Sequence, residues 1–149
     1  MKYGFILLVV MGAAPNARAQ SAQDSIKASV MALFDAMRRS DSSALVSAFA
    51  DSAILQSVGP GKDGKEKIMT EAITQFGSFI KKLPAGAADE RIVFETIRID
   101  GHLAMVWAPY KFYYKGQLHH CGADSFQLVW QNGVWKIQYL IDSRRKDCE

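Results

Sequence analysis

Apolar and polar positions alternate along the second half of the chain. From Tyr110 to Arg145 the sequence reads YKFYYKGQLHHCGADSFQLVWQNGVWKIQYLIDSRR, two apolar-rich runs that meet at Asn132-Gly133. Asn-Gly between alternating runs is the strongest short signal for a two-residue hairpin turn. Such a turn opposes Gln131 to Val134, and counting outward pairs Trp130 with Trp135, Leu128 with Ile137, Phe126 with Tyr139 and Asp124 with Ile141. Successive side chains on a strand point to opposite faces, so these pairs share one face, which is predicted to be core. The other face takes Ser125, Gln127, Val129, Lys136, Gln138, Leu140, Asp142 and Arg144 and is the wetter one. Asp124 is then the ionisable group on the core face.

The first half has helical spacing instead. Ile26, Val30, Leu33, Phe34 and Met37 predict a helix over 21–39, and Ser40-Asp41 stops it and caps a short second helix carrying Leu45 and Phe49. Ala53–Val58 reads as a short strand ended by Gly59-Pro60-Gly61. The glycines of GPGKDGKEK match neither a phosphate loop nor a dinucleotide fingerprint, so that segment reads as a turn. A third helix is expected from about Lys65 to Lys82, with Ile68, Met69, Ile73, Phe76 and Ile80 on one face as the lid over the sheet. From Arg91 onward, turn signals at Asp100-Gly101, Lys115-Gly116 and Asn132-Gly133 divide four antiparallel strands. Three helices followed by a meander make an α+β fold, helices on one face of a curved sheet. Pro109 marks an edge or a bulge. At Lys115-Gly116 a three-residue loop ending in a bulge is favoured, because it sets Val106 beside Phe126 and Phe112 beside His120. Met105 and Trp107 then face outward, which points to a homodimer through the sheet.

Composition adds a leader. Lys2, the apolar run Phe5–Ala14 and Ala17-Arg18-Ala19 read as a secretory signal cut before Gln20, too short to span a bilayer. Removing residues 1–19 of 149 leaves 130, one domain over 20–149, and the formal charge of +3 falls to +1 without Lys2 and Arg18. Neither nucleic acid nor, after cleavage, a membrane is expected as partner, and the destination is the periplasm or the medium. Cys121 and Cys148 would meet an oxidising compartment; a disulfide between them and two independent thiols are both compatible with the register.

The candidate chemistry centres on Asp124, whose carboxyl an apolar face should desolvate and make fit for proton transfer. His120 lies on the same face but two side-chain steps away, so a direct pair with Asp124 needs a bulge near Gly122. His119 and His120 point to opposite faces of a regular strand, so no metal site is expected, and no cofactor. Phe34, Phe49, Phe76, Tyr110, Phe112, Phe126 and Tyr139 are the candidate walls of a pocket for a small apolar or aromatic ligand.

Phe49-Ala50-Asp51-Ser52-Ala53, Ala104 to Tyr110, His120-Cys121-Gly122, Asp124-Ser125-Phe126 and Gly133 to Ile137, in this order behind the helices, resemble the nuclear transport factor 2-like superfamily. The likeness runs from about Asp24 to Arg145 and is nearest to SnoaL-like exported bacterial domains called polyketide-cyclase-like or putative lumazine-binding. The resemblance implies a conical α+β barrel of cystatin-like type, a pocket between sheet and helices, and frequent pairing as a dimer. Steroid isomerases of that superfamily use a tyrosine on the first helix and an aspartate on the first short strand. Here the matching positions hold Leu33 or Phe34 and about Ser57, which cannot do those jobs. The expected function is an exported small-ligand-binding domain. The alternatives are a cofactor-free isomerase, cyclase or dehydratase with Asp124 as general acid or base and His120 or Tyr110 polarising a carbonyl, and a dimeric interaction module without catalysis.

Overall fold

The computed structural model describes residues 15–61 and 63–148. Helix α1 (Pro15–Arg38) starts inside the expected leader, whose residues 1–14 lie outside the described residues. Its apolar stripe, with Ile26 and Val30 fully buried, lies on the sheet. The helix ends where Ser40 takes a left-handed φ of 58°, and Ser40 and Asp41 donate their N–H groups back to Met37 and Ala36. Asp41 then caps α2 (Ser42–Ser47), accepting from the Ala44 N–H at 2.9 Å. The chain continues through β1 (Phe49–Pro60), β2 (Glu66–Glu71), α3 (Ile73–Ile80), β3 (Ala88–Ile92), β4 (Thr96–Asp100), β5 (Leu103–Tyr114), β6 (Gln117–Gln131) and β7 (Val134–Ser143).

The sheet has seven strands in the order β2-β1-β7-β6-β5-β3, with β4 also on β5. All pairings are antiparallel except β1 with β7. The helices cover one face, as the α+β reading requires, and Phe126, Leu128, Ile137 and Val106 fill the space between. No described helix is long and apolar enough to cross a membrane.

Besides Phe49, which opens β1 instead of lying on the second helix, the structure departs from the expected elements in four places. Residues 66–71, expected as the start of the third helix, form the edge strand β2 hairpinned onto β1, with Pro60 opposite Glu66 and Leu55 opposite Glu71. Ile68 is 65% exposed, so the apolar positions there had no core to reach as a helix, whereas pairing with β1 satisfies the backbone. The first long strand is split into β3 and β4 where the Val93 and Glu95 N–H groups donate to the carbonyls of Pro109 and Trp107, on either side of Ala108. Pro109 has no N–H to give, and it sits where that neighbour breaks. At Lys115-Gly116 the favoured register holds, with Val106 opposite Phe126 and Phe112 opposite His120, but by a two-residue turn with φ of 50° and 81° and a bulge one step later at His119. The Asn132-Gly133 hairpin also forms as expected, until the register shifts between Gln127 and Leu128. Gln138 is the extra residue, so Phe126 opposes Leu140 rather than Tyr139, and Asp124 opposes Asp142 rather than Ile141.

Candidate functional site: a carboxyl cluster at the base of the cone

The Gln138 bulge turns the last part of β7 over. Asp142 and Arg144, expected on the outer face, come inside, and Tyr139 goes out, where its hydroxyl donates to Gln56 Oε1 at 2.7 Å. One row of the inner face now runs Ala108, Asp124, Asp142, Ser57 across β5, β6, β7 and β1. Two aspartates therefore stand directly opposite one another on adjacent strands, an arrangement that repels when both are charged. The next row holds Tyr110 and Gly122, and the row beyond it brings Glu90 of β3 beside Phe112 and His120. Ala108 has no side chain long enough to fill the space in front of Asp124.

The two aspartates have opposite surroundings. Asp142 meets three donors: Ser57 Oγ at 2.5 Å, Tyr110 Oη at 3.2 Å, and the Arg144 guanidinium at 2.8 and 3.4 Å. Asp124 is 2% exposed, and its Oδ2 has no hydrogen-bond partner among the described residues. Its neighbour is another carboxyl, Glu90. Burial first, then the charges of Glu90 and Asp142, push the Asp124 carboxyl well above the usual range, against the pull of Arg144. Burial likewise raises Glu90 to about 7. Two carboxyls side by side without a donor between them are stable when they share a proton, as in an aspartic protease dyad. The site thus separates a donor-stabilised carboxylate from a proton-holding pair. Tyr110, 4% exposed, is pushed up by burial and by Asp142, and keeps its proton for the bonds to Asp142 and to the Ser143 carbonyl at 3.0 Å.

Gly122 makes this approach of Tyr110 to β7 feasible. It lies opposite Tyr110, and a Cβ on it would fall 1.7 Å from the Ser143 carbonyl oxygen and 2.9 Å from the tyrosine ring. Beyond it Cys121 pairs with Arg145, and Cys121 and Cys148 are joined by a disulfide with Cα atoms 5.7 Å apart, tying the tail to β6. Of the two pairings left open by the sequence, the structure has the bridge.

An inner chamber of about 60 Å³ opens above Asp124 and Asp142, lined on its apolar side by Leu33, Phe34 and Met37 of α1. It continues into an outer cavity of about 480 Å³ walled by Phe76, Phe79, Leu83, Phe112 and Tyr114. Of the expected pocket walls, Phe34, Phe76, Tyr110 and Phe112 line this space. Phe49, Phe126 and Tyr139 do not. Phe126 is fully buried with its ring edge-on to Phe34 at 6.1 Å, Phe49 is 5% exposed in the core, and Tyr139 left with the bulge. His120 makes no hydrogen bond to Asp124. The bulge that would have joined them falls at His119, which brings both histidine rings to one side with their Nδ1 atoms 2.8 Å apart at the cavity mouth. Burial and the nearby Arg144 charge hold His120 down to about 4, so it is neutral at pH 7. Sequence reasoning missed Glu90, Asp142 and the structural use of Ser57; the run of three apolar residues Tyr139-Leu140-Ile141, which breaks alternation, is the signal that marks the flip.

The chain matches the family described as "Putative lumazine-binding" over residues 21–139. No curated protein matches it. Among solved structures it is similar to a nuclear transport factor 2-like protein of unknown function from Shewanella baltica OS155, with a TM-score of 0.66 at 17% identity over 86% of this chain and 97% of that one. A protein of the same description from Silicibacter pomeroyi DSS-3 gives 0.66 at 16% identity over 85% and 98% of the two chains. A third, titled a "putative dehydratase" of the nuclear transport factor 2-like family from Streptomyces avermitilis, gives 0.62 at 15% identity over 85% and 98%. At such identities these structures speak for the fold. With the family match covering most of the chain, this protein belongs to the family described as "Putative lumazine-binding", and its helices on a curved sheet have the nuclear transport factor 2-like fold.

Proposed function

We propose that this is an exported protein that binds a small molecule in the cone, its body in the outer cavity and one polar end in the chamber over Asp124. The observation that carries the reading is the contrast at the base: an apolar and aromatic vestibule leads to a buried carboxyl whose Oδ2 lacks a partner. A cavity of about 480 Å³ lies within the range of small-molecule sites, which pair apolar walls with a few placed polar groups. The leader-like residues 1–19 and the disulfide support export to the periplasm or the medium. Native mass spectrometry of protein purified from an exporting host without reduction tests this reading. The expected result is a chain beginning at Gln20 with a bound small molecule, and the bound mass disappears when Phe76→Asp places a charge in the vestibule. A wild-type protein that is empty and takes up nothing from a small-molecule panel would overturn it.

The proton held between Glu90 and Asp124 supports a second reading, a cofactor-free isomerase, cyclase or dehydratase. In that reading Asp124 gives or takes the proton, and the neutral Tyr110 and His120 polarise a carbonyl. Catalysed exchange of a carbon-bound proton of the ligand with solvent deuterium, lost in Asp124→Asn, separates it from binding alone.

The outer sheet face supports a homodimer. Trp107 is 43% exposed, Met105 38% and Leu103 52%, all on β5, and Ile54 on β1, across β6 and β7 on the same face, is 47% exposed. Light scattering at micromolar concentration is expected to give a dimer for the wild type and a monomer of unchanged thermal midpoint for Trp107→Glu. A monomeric wild type would remove the dimer.

A further inference from the structure

The charges that line the inner chamber are lopsided. Glu71 from β2, Glu90 from β3, and Asp124 and Asp142 from β6 and β7 face one guanidinium, Arg144. That guanidinium is engaged by Asp142 at 2.8 Å, so it does not neutralise Asp124. His120 on the same wall is neutral at pH 7, and Tyr110 keeps its proton for Asp142. His119 lies at the mouth, with Lys146 bonded to its carbonyl. Desolvation also raises Glu71 above its ordinary range, against the pull of Arg144. A second feature is the buried Asp124 itself, 2% exposed, whose Oδ2 has no hydrogen-bond donor among the described residues apart from a proton shared with Glu90. In native proteins such an atom is uncommon and asks for a partner.

We propose that the cone takes a small organic cation, a protonated primary amine on an aromatic or apolar body, with its ammonium seated between Asp124 and Glu90. This rests on the small-molecule reading above and names the chemical class. An ammonium carries three donors and no acceptor, matching a wall that offers carboxyl oxygens. The chamber volume of about 60 Å³ suits one such head group. The vestibule walls Phe76, Phe79, Phe112 and Tyr114 supply aromatic surface, which attracts a cation electrostatically as well as covering its body. A carboxylate ligand would meet four carboxyls with their one cation already engaged. Among the described residues no group of three or more His, Cys, Asp or Glu is placed to hold a metal ion, so the geometry favours a larger cation with its own apolar body. Seating an ammonium replaces the proton that the pair holds. Binding therefore releases a proton at pH values where the pair is protonated, and its affinity climbs as pH rises toward and past neutrality.

Titration calorimetry with three probes of one shape, phenethylamine, 2-phenylethanol and phenylacetate, tests this on the full protein from an exporting host. Phenethylamine is expected to bind at least about tenfold more tightly than 2-phenylethanol, with phenylacetate weakest. Buffers of different ionisation enthalpy are expected to report close to one proton released at about pH 6 and fewer at about pH 8. Asp124→Asn should bring the amine and the alcohol to within about threefold of each other while alcohol binding persists. Glu90→Gln provides the same comparison should Asp124→Asn fold poorly. If 2-phenylethanol or phenylacetate binds as tightly as the amine, the cation proposal falls and the small-molecule reading stands. Should none of the three bind, the cation proposal falls, and the native mass measurement above decides the small-molecule reading separately.

Discussion

Gly122→Ala is expected to lose about 3 kcal/mol or more of stability, with the urea midpoint moving and the slope unchanged. The added methyl would lie 1.7 Å from the Ser143 carbonyl oxygen, which is backbone and cannot swing away as a side chain would. Ser143 is itself held on several sides. Its carbonyl accepts from Tyr110 at 3.0 Å, its hydroxyl accepts from the Ala123 N–H at 3.1 Å, and the Cys121–Arg145 bridge follows at once. Relief of the clash thus requires β6 and β7 to part beside the disulfide, and parting them pulls Tyr110 away from Asp142. The same variant should consequently lose whatever ligand the cone binds. Gly86→Ala is the control: φ there is +80° but nothing lies within 4 Å of the new carbon, so only the backbone term of about 1 kcal/mol applies. A Gly122→Ala protein no less stable than the Gly86→Ala protein would mean that the strands do not approach as closely as described.

The second large effect is on pH dependence. Glu90 titrates near 7 in the folded protein against an ordinary 4.5, and Asp124 is shifted in the same direction. Between those values the folded state retains a proton that the unfolded chain has released. The stability associated with it is fully present below about pH 4.5 and is lost as pH rises through 7. At 1.36 kcal/mol per unit, and discounting for partial exposure of Glu90, the loss is on the order of 2–3 kcal/mol. Surface carboxylates have their own pH dependence, so the informative quantity is a difference. The double variant Glu90→Gln/Asp124→Asn should gain stability relative to wild type by that amount between about pH 5 and pH 8, measured by urea unfolding at each pH. A difference that does not change with pH would rule out a proton shared by the pair. An increase would mark the carboxyls as a group kept at the expense of stability, as ligand sites often are.

How much of this was readable beforehand follows from the range of the interactions concerned. Asn132-Gly133 and Lys115-Gly116 specify turns through local φ preference, and both hairpins form there. Ile26, Val30, Leu33 and Phe34 specify a helix and the face it buries, and alternation along β6 puts Asp124 inside. The bulges at His119 and Gln138 are marked far more weakly: the first only as one of two loop lengths at Lys115-Gly116, the second only by the broken alternation at Tyr139-Leu140-Ile141. Each is one extra residue, and each moves every later side chain on its strand to the other face. The Gln138 bulge arises on a strand that must pair with β6 on one side and, in parallel, with β1 on the other while the sheet curves around α1. It carried Asp142 and Arg144 inward and Tyr139 outward. Glu90 was invisible for a related reason: its strand is short, half-polar and defined by its partner β5.

By itself, then, the sequence determined the α+β class, the order of the principal helices and hairpins and the burial of Asp124, because these rest on turn chemistry and on periodicities of two and 3.6 residues. Only the tertiary structure decided that Ser57 and Asp142 meet across the parallel β1–β7 pair, that Glu90 comes beside Asp124, and that Tyr110 crosses over Gly122 to reach Asp142. Those contacts join residues far apart in the chain through strand register, and register is set by the whole sheet at once.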